Sequence, residues 1–471
     1  MAIERDGICL RFCALAWLST VALPACSSNA PIPSRAAQPP LSATASASKY
    51  IKHVVVIIQE NRTFENFFAG YPGADAPMSG CAIPQSGGPP RKRSGCPQGD
   101  VLVRLARETF ESNAPALPHD WGSSLTDWNG GRMDGFSKFG TSSGPYAAYS
   151  YIDRMQTRPY WAMAKQYVLA DKMFPTEFGG SFTGHLTIVA GTDDIELPSK
   201  AEVDFPTASP YDCDSPGGTT TSYLEAQPYR KERYNGPFPC FDQFNTMAQV
   251  LDGAGIPWKF YSFIKLYAGI WEPFEAIKYV RYGSDWKNRI VAPQTKILSD
   301  AARGKLAPVS WVTPTEVDSD HPAARSDRGP SWVASVVNAI GESSYWPTSA
   351  IVVIWDDWGG FYDDAAPPQL DYRGLGIRIP CLIVSPYAKR GYVSHVQYEY
   401  GSILRFIEEA NGLPAGSIGP TSQGYTDGRA ASLDDAFDFN QKPRKFVKIP
   451  SKYSQGDFLR EPPSHAPLDT Q

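Results

Sequence analysis

The sequence predicts an α/β protein in which a mostly parallel central sheet is flanked by helices. Three apolar runs, at residues 54–58, 351–354 and 382–384, support this prediction because they are short, uninterrupted and rich in β-branched residues. Strands that are buried on both faces of a parallel sheet have this composition. Long segments rich in Pro, Gly and aromatic residues separate the runs and predict long loop insertions on this scaffold.

Local patterns predict the other elements in chain order. Residues 159–174 have the apolar spacing of an amphipathic helix, and residues 199–239, rich in Pro, Gly, Ser and Tyr, predict a long insertion loop. Residues 255–261 are typical of a helix end that leads into a strand, and residues 309–312 predict a further short strand. A helix predicted at residues 402–410 closes the fold.

The composition limits the classes of function. The chain has 471 residues and a formal net charge of −5, which argues against a nucleic-acid partner. Enzymes of the α/β class and of this length often form one compact unit. The aromatic share of 13% suits loops that carry a binding site on a rigid scaffold.

The N-terminus has the pattern of an export signal. Arg11 precedes an apolar stretch at residues 12–23, which is too short to span a bilayer as a helix of the mature protein. We predict a signal peptide of the lipoprotein type at residues 1–25 and a lipid anchor at Cys26, with ordinary cleavage nearby as the alternative. Residues 26–49 have the composition of a disordered linker. The predicted protein is therefore exported, periplasmic or at the cell surface, and held at the membrane.

The exported part is predicted to form one domain with a short tail. Residues 50–443 make up this domain, and residues 444–471 are a basic, Pro-rich tail with no clear core of its own. Export permits disulfides. The simplest pairing consists of two local bridges, Cys81–Cys96 and Cys213–Cys240, with Cys381 left as a buried free thiol.

Acidic and amide side chains follow two of the predicted core strands directly. Glu60 and Asn61 follow the first, and Asp356 and Asp357 follow the run at 351–354. Ligands of open α/β sheets bind beyond the carboxyl ends of the strands, although a strand that ends in a solvated loop would look the same. Two adjacent carboxylates repel each other unless a cation compensates. Oxygen ligands favour Ca²⁺, Mg²⁺ or Mn²⁺ as that cation.

A Gly-Gly-Ser sequence precedes a predicted helix. Ser181 follows Gly179 and Gly180, and the helix is expected to run over residues 182–190 and to stop at Gly191. Free N–H groups and the helix dipole bind anions at such an end. On its residues alone, Ser181 is either the cap of this helix or a nucleophile that attacks a phosphate held there.

Two histidines lie in predicted loops near polar residues. His119 is able to reach a substrate or, equally, to be satisfied by the backbone of its own loop. His321 is placed to hydrogen-bond a phosphate or to protonate a leaving group, and its structural alternative is to orient a loop carboxylate.

Five short motifs follow one another in a known order. They are residues 60–64 (Glu-Asn-Arg-Thr-Phe) with 67–70, residues 133–136 (Met-Asp-Gly-Phe), residues 321–322 (His-Pro), residues 356–357 (Asp-Asp) and residues 385–387 (Ser-Pro-Tyr). Together they resemble the bacterial phosphoesterase family, which contains acid phosphatases and phospholipases C. The resemblance covers almost all of the exported part and implies a fold similar to that of alkaline phosphatases.

The resemblance implies metal-dependent hydrolysis of phosphate esters, acid-phosphatase-like, on a phosphorylated small molecule or a phospholipid. The implied roles are Ser181 as nucleophile with His321 as a second catalytic residue, His185 and His119 as substrate contacts, and Glu60, Asn61, Asp356 and Asp357 as metal ligands.

The sequence departs from the family pattern at two positions. His185 stands where an arginine is usual, and Asp364 stands where a histidine is common. The C-terminal β-rich modules of longer phospholipases C are not expected here, which favours the phosphatase. The alternatives are a phospholipase C that cleaves phospholipid diesters and a catalytically silent lipoprotein that binds phosphate or glycan.

Overall fold

The computed structural model describes residues 47–86, 95–112, 116–141, 143–195, 201–225, 231–462 and 464. This part of the chain contains both strands and helices. The strands are β1 (His53–Gln59), β2 (Ser79–Ala82), β3 (Val101–Arg104), β4 (Ala106–Glu108), β5 (Ser150–Ile152), β6 (Val168–Phe174), β7 (Ala201–Pro206), β8 (Thr221–Glu225), β9 (Lys231–Arg233), β10 (Trp258–Tyr261), β11 (Ile290–Val291), β12 (Val309–Val312), β13 (Ser349–Trp355), β14 (Ile379–Val384), β15 (Tyr392–Ser394) and β16 (Tyr398–Glu399).

The helices of these residues include several of only one or two turns. They are α1 (Ala47–Tyr50), α2 (Phe64–Phe68), α3 (Trp121–Trp128), α4 (Arg158–Gln166), α5 (Ser181–Ala190), α6 (Met247–Gly253), α7 (Lys278–Arg281), α8 (Asp285–Asn288), α9 (Lys296–Ala302), α10 (Gly329–Gly341), α11 (Tyr400–Ala410) and α12 (Gln455–Leu459). Among the described residues, every helix is too short or too polar to span a bilayer. The predicted signal peptide, the anchor at Cys26 and nearly all of the linker lie outside the described residues.

The central sheet has the strand order β11-β10-β12-β1-β13-β14-β6-β15, and β16 also pairs with β6. All neighbours pair in parallel except β14, which runs antiparallel to both β13 and β6. Helices flank the sheet, and the longest of them, α10, is buried along its whole length. The predicted α/β architecture with a mostly parallel sheet is therefore confirmed.

Strand β1 lies near the middle of this sheet, between β12 and β13. Its residues from Val54 to Gln59 are buried, as the apolar run predicts for a strand covered on both faces. In the pairing with β13, Val54 lies opposite Ala350 and Gln59 lies opposite Trp355. The two strands therefore end at the same edge of the sheet.

The structure corrects the helix predicted at residues 159–174. Only Arg158–Gln166 is helical, and Val168–Phe174 is the strand β6. Within β6, Val168, Leu169 and Ala170 are fully buried and pair with β14 and β15. Partners that are distant in sequence satisfy this backbone, so tertiary pairing overrides the local helical pattern.

The predicted insertion loop at residues 199–239 is also wrong in part. Its described residues contain an antiparallel three-stranded sheet of β7, β8 and β9. The disulfide Cys213–Cys240 spans most of this segment. The second predicted bridge, Cys81–Cys96, is likewise present, and Cys381 is a buried free thiol in β14.

The C-terminal tail packs on the domain, contrary to the expectation that it has no core. Ile449 is buried, and its backbone N–H donates to the side chain of Asn338 on α10. Phe458 on α12 is also buried, and its ring lies edge-on to that of Trp332, with the centroids 5.4 Å apart. The few apolar residues of the tail therefore pack on α10. The sequence of the tail alone does not show that this surface is available to them.

We predict that Phe458→Ala lowers the free energy of unfolding by about 3 kcal/mol, because it leaves a cavity against α10. The adjacent Leu459 is 52% exposed, so Leu459→Ala serves as the matched control and should change stability by less than about 0.5 kcal/mol. Urea denaturation of both variants measures the difference. Equal effects would show that the tail does not contribute to the core.

Candidate active site at the ends of β1 and β13

Two polar pairs meet where β1 and β13 leave the sheet. The backbone N–H of Asp356 donates to the carbonyl of Gln59 at 3.0 Å, and the backbone N–H of Asn61 donates to Asp356 Oδ1 at 2.9 Å. Asn61 has a φ of 48°, a left-handed conformation that asparagine tolerates and that turns the chain sharply. Glu60, Asn61, Asp356 and Asp357 are therefore brought together, and all four are buried.

Helix α5 brings Ser181 to this cluster. Ser181 is the first residue of the helix, and the capping residue is Gly180, so the expected capping role of Ser181 is wrong. The Ser181 hydroxyl donates to Asp357 Oδ2 at 3.0 Å and accepts from Asn61 Nδ2 at 3.1 Å. Asn61 Nδ2 also donates to Asp357 Oδ2 at 3.0 Å, which closes a triangle of three buried side chains.

Two glycines permit these close approaches. A Cβ atom at Gly184 would lie 2.4 Å from the carbonyl oxygen of Asp356, so only glycine lets α5 contact the end of β13. Gly359 has a φ of +63°, and a Cβ atom there would lie 2.3 Å from the carbonyl oxygen of Asn61. Its N–H donates to Asp357 Oδ1 at 2.7 Å, which fixes the orientation of that carboxylate.

His185 lies one turn after Ser181 on the same face of α5. Its Nε2 is 2.8 Å from Glu60 Oε1 and 3.8 Å from Asp356 Oδ2, and all three side chains are fully buried. One ligand atom from each of these residues lies within 4.8 Å of the other two, a geometry that suits a metal ion. Sequence reasoning assigned His185 to the substrate; its i+4 spacing from Ser181 was the signal that it shares the site.

The donor set fits a cation. Among the described residues, Asp356 Oδ2 and Asn61 Oδ1 are buried acceptors that receive no hydrogen bond. A buried carboxylate oxygen without a donor is costly, and a metal ion would satisfy it. Two overlapping ligand sets are available, the predicted Glu60, Asn61, Asp356 and Asp357 and the set that includes His185. Both sets contain Glu60 and Asp356.

His119 and His321 lie together, with their ring centroids 6.1 Å apart. His119 Nδ1 is 2.7 Å from the carbonyl oxygen of Leu117, so Nδ1 carries the proton and Nε2 presents a lone pair. His321 has the opposite arrangement, because its Nδ1 accepts from the N–H of Ala323 at 3.1 Å. A neutral His321 therefore carries its proton on Nε2 and can donate a hydrogen bond from this atom.

A buried acid precedes His321. Burial raises the pKa of the Asp320 carboxyl to about 7, against the opposing effects of its hydrogen bonds from Tyr160 and Trp355 and of the charge on Arg62. Burial has the opposite effect on a basic group and lowers the pKa of Arg62 to about 10. The guanidinium of Arg62 is therefore still charged at neutral pH. Asp320, the residue before His321, is thus held in the core.

A cavity of about 590 Å³ opens beside Ser181. Its wall includes His119 and the two residues that flank Ser181, Gly180 and Phe182. Acidic and aromatic side chains also line this cavity. They are Asp120, Asp204 and Glu232, and Trp121, Phe205 and Tyr234. Such a wall suits a ligand that carries a positive charge.

Asp364, the second departure from the family pattern, has a structural role. Its carboxylate lies 3.2 Å from Arg378 Nη2, and Asp363 binds Nε of the same arginine at 2.8 Å. Where the family pattern often has a histidine, this chain has Asp364, whose carboxylate pairs with the buried guanidinium of Arg378.

Comparisons with known proteins identify the family of this chain. The model of the Phosphoesterase family matches residues 51–414. The chain belongs to the Phosphoesterase family. A non-hemolytic phospholipase C of Pseudomonas aeruginosa is 24% identical over 87% of this chain and 60% of its own length, and phospholipase C A of Mycobacterium tuberculosis is 24% identical over 83% and 78%. The chain thus spans less than two thirds of the first of these relatives.

Among solved structures, this phosphoesterase is similar to a protein of the alkaline phosphatase superfamily from Vibrio parahaemolyticus. The two share 11% identity with a TM-score of 0.38, over 83% of this chain and 73% of the other. The central sheet described above, with its single antiparallel strand β14, is the basis for the fold assignment.

Tyr400 is a site residue that sequence reasoning missed. It begins α11, two residues before the predicted start of that helix, and its ring is fully buried. Its hydroxyl lies within hydrogen-bond distance of the carbonyl oxygens of Trp355 and Asp356, so its proton is shared between them. Tyr400 thereby positions the end of β13, although nothing in its sequence neighbourhood marks it.

We predict that Tyr400→Phe lowers kcat/KM for a phosphate ester by about tenfold, because the carbonyls beside the carboxylates lose their donor. Tyr149→Phe is the matched control, since the hydroxyl of this buried residue donates to the carbonyl of Cys81, away from the site. Steady-state kinetics and thermal unfolding of both variants separate positioning from stability. A similar loss of kcat/KM in both would reject the positioning role.

Proposed function

We propose that this phosphoesterase hydrolyses phosphoric esters through Ser181 as the nucleophile, with a bound divalent metal ion. The observation that carries the proposal is the hydroxyl of Ser181, which donates to Asp357 and stands at the N-terminus of α5 beside Glu60 and Asp356. Family membership and the phospholipase C relatives support the reaction class.

The first step forms a bond between Ser181 Oγ and phosphorus and breaks the bond from phosphorus to the leaving oxygen. The proton of Ser181 passes to Asp357 Oδ2, which already accepts its hydrogen bond. The Nε2–H of His321 donates a hydrogen bond to the leaving oxygen, which takes its proton from water. The N–H groups in the first turn of α5 lack intrahelical acceptors and stabilise the phosphoryl oxygens. Water then cleaves the phosphoserine and restores the hydroxyl.

Glu60 and Asp356 would hold the metal ion, together with His185 or with Asn61 and Asp357. When bound, such an ion supplies positive charge that stabilises the charge developing on the phosphoryl group. Oxygen ligands alone favour Mg²⁺, Ca²⁺ or Mn²⁺, and an imidazole ligand extends the choice to other first-row metals. The identity of the metal is left to measurement.

We predict that Ser181→Ala retains the fold but lowers turnover about a thousandfold or more, because the covalent step is lost. Thr183→Ala is the control, since the Thr183 hydroxyl donates to the Gly180 carbonyl at 3.1 Å and should be dispensable. Acid-quenched wild-type enzyme should carry phosphate on the peptide that contains Ser181. Phosphate on Thr183, or an active Ser181→Ala variant, would reject the assignment.

We predict that Asp356→Asn abolishes both the metal content and turnover, because Asp356 belongs to both ligand sets and asparagine keeps the acceptor for the Asn61 N–H. His185→Gln should also lose metal if the histidine is a ligand. Asp364→Asn, which alters the partner of Arg378, should retain the metal. Metal analysis of purified proteins measures all three, and full activity in a verified metal-free preparation would contradict the proposal.

A second candidate, phospholipase C activity on phospholipid diesters, is favoured by the cavity beside Ser181. Its acidic and aromatic wall suits a head group with a quaternary ammonium. Parallel turnover of p-nitrophenyl phosphate and phosphatidylcholine distinguishes the two, and phosphate binding without turnover of either would indicate the silent binding protein.

Export is proposed on two observations. The N-terminal pattern up to Cys26 predicts a lipoprotein signal, and the two disulfides suit an oxidising compartment. The lipid anchor stays a prediction from the sequence.

A further inference from the structure

Three arginine side chains are buried in the described residues, and they differ in their partners. Arg373 pairs with Asp193 and Asp371, and Arg378 pairs with Asp363 and Asp364. Arg62 binds two uncharged oxygens instead. Its Nε donates to the carbonyl oxygen of Asp320 at 2.8 Å, and its Nη1 donates to the side-chain oxygen of Asn66 at 3.2 Å.

The guanidinium of Arg62 is therefore only partly satisfied. It lies over the rings of Phe361, Phe110 and Phe67, at 4.6, 5.3 and 5.8 Å from their centroids. Its Nη2 makes no hydrogen bond to the part of the chain that the structure describes. Aromatic faces attract a cation but supply no acceptor in the plane of the guanidinium. The Asp320 carboxylate acts on Arg62 through its charge and accepts none of its hydrogen bonds, so Nη2 can donate to a further anion.

Arg62 forms part of the wall of a cavity of about 260 Å³. This cavity shares no lining residue with the one beside Ser181. Its inner wall is mainly apolar and includes Val103, Phe110, Ile152 and Phe361. Two charged residues of opposite sign, Arg104 and Glu108, also line it, so Arg62 leaves the cavity with a net positive charge.

We propose that this cavity binds a small carboxylate with an apolar body, and that Arg62 Nη2 donates to the carboxylate. One free nitrogen suits a single negatively charged group, and the apolar wall suits an alkyl or aryl body. At about 30 Å³ for each water-sized group, the volume admits roughly nine non-hydrogen atoms. A six-carbon fatty acid has this size.

Binding of hexanoate to the full exported chain tests the proposal by calorimetry and by the shift in Tm. Hexanoate should bind and raise Tm, whereas hexan-1-ol, which has the same alkyl chain without the charge, should bind at least tenfold more weakly. Equal binding of the alcohol, or no binding of hexanoate, would overturn the proposal. Hexyl phosphate is the third probe, and its binding in place of hexanoate would also overturn it.

Two variants locate the binding. Arg62→Met should weaken hexanoate binding at least tenfold, but it also removes two buried hydrogen bonds, so its fold is checked by circular dichroism. Ala147→Phe keeps Arg62 and fills the cavity from its wall, so it should abolish binding while the circular dichroism spectrum is unchanged. Ala366→Phe, at an exposed position outside the cavity, is the matched control and should bind as the wild type does. Hexanoate binding that survives Ala147→Phe in folded protein would reject this site.

Discussion

The parallel pairing of β1 with β13 is the constraint on which the candidate active site depends. Because Gln59 lies opposite Trp355, residues 60–61 and 356–357 leave the sheet side by side. A register slip of one residue would turn every side chain of one strand to the other face and would separate the two acidic segments. Both strands are buried on both faces, so a shift of either one would disrupt the packing of its side chains in the core.

Helix α5 completes the site by approaching the end of β13 more closely than most residues allow. Gly184 permits this approach, and it places Ser181 and His185, four residues apart, on the two halves of the cluster. Ser181 faces Asp357, whereas His185 faces Glu60. The nucleophile and the candidate metal ligands are therefore fixed by a single helix, and a displacement of that helix would disturb both at once.

The buried charges explain why the site should be sensitive to the loss of a cation. Removal of a carboxylate from water costs several kcal/mol unless a partner compensates for it. For the buried carboxylates of Asp193 and Asp363 the compensation is built in, because they pair with Arg373 and Arg378. At the strand ends, Asp356 keeps an oxygen without a donor among the described residues. Arg62 differs from these two arginines, because the Asp320 carboxylate acts on it through charge without accepting a hydrogen bond from it.

The sequence by itself determined several core strands, the acidic segments that follow two of them, a helix over residues 182–190 and the two local disulfides, because each depends on residues that are close along the chain. Only the tertiary structure decided that residues 168–174 form a strand, that His185 lies against Glu60, that Tyr400 holds the end of β13 and that the C-terminal tail packs on α10. Each of these depends on partners that are distant in sequence. Local patterns record how often a residue is buried, but they do not record which surface buries it.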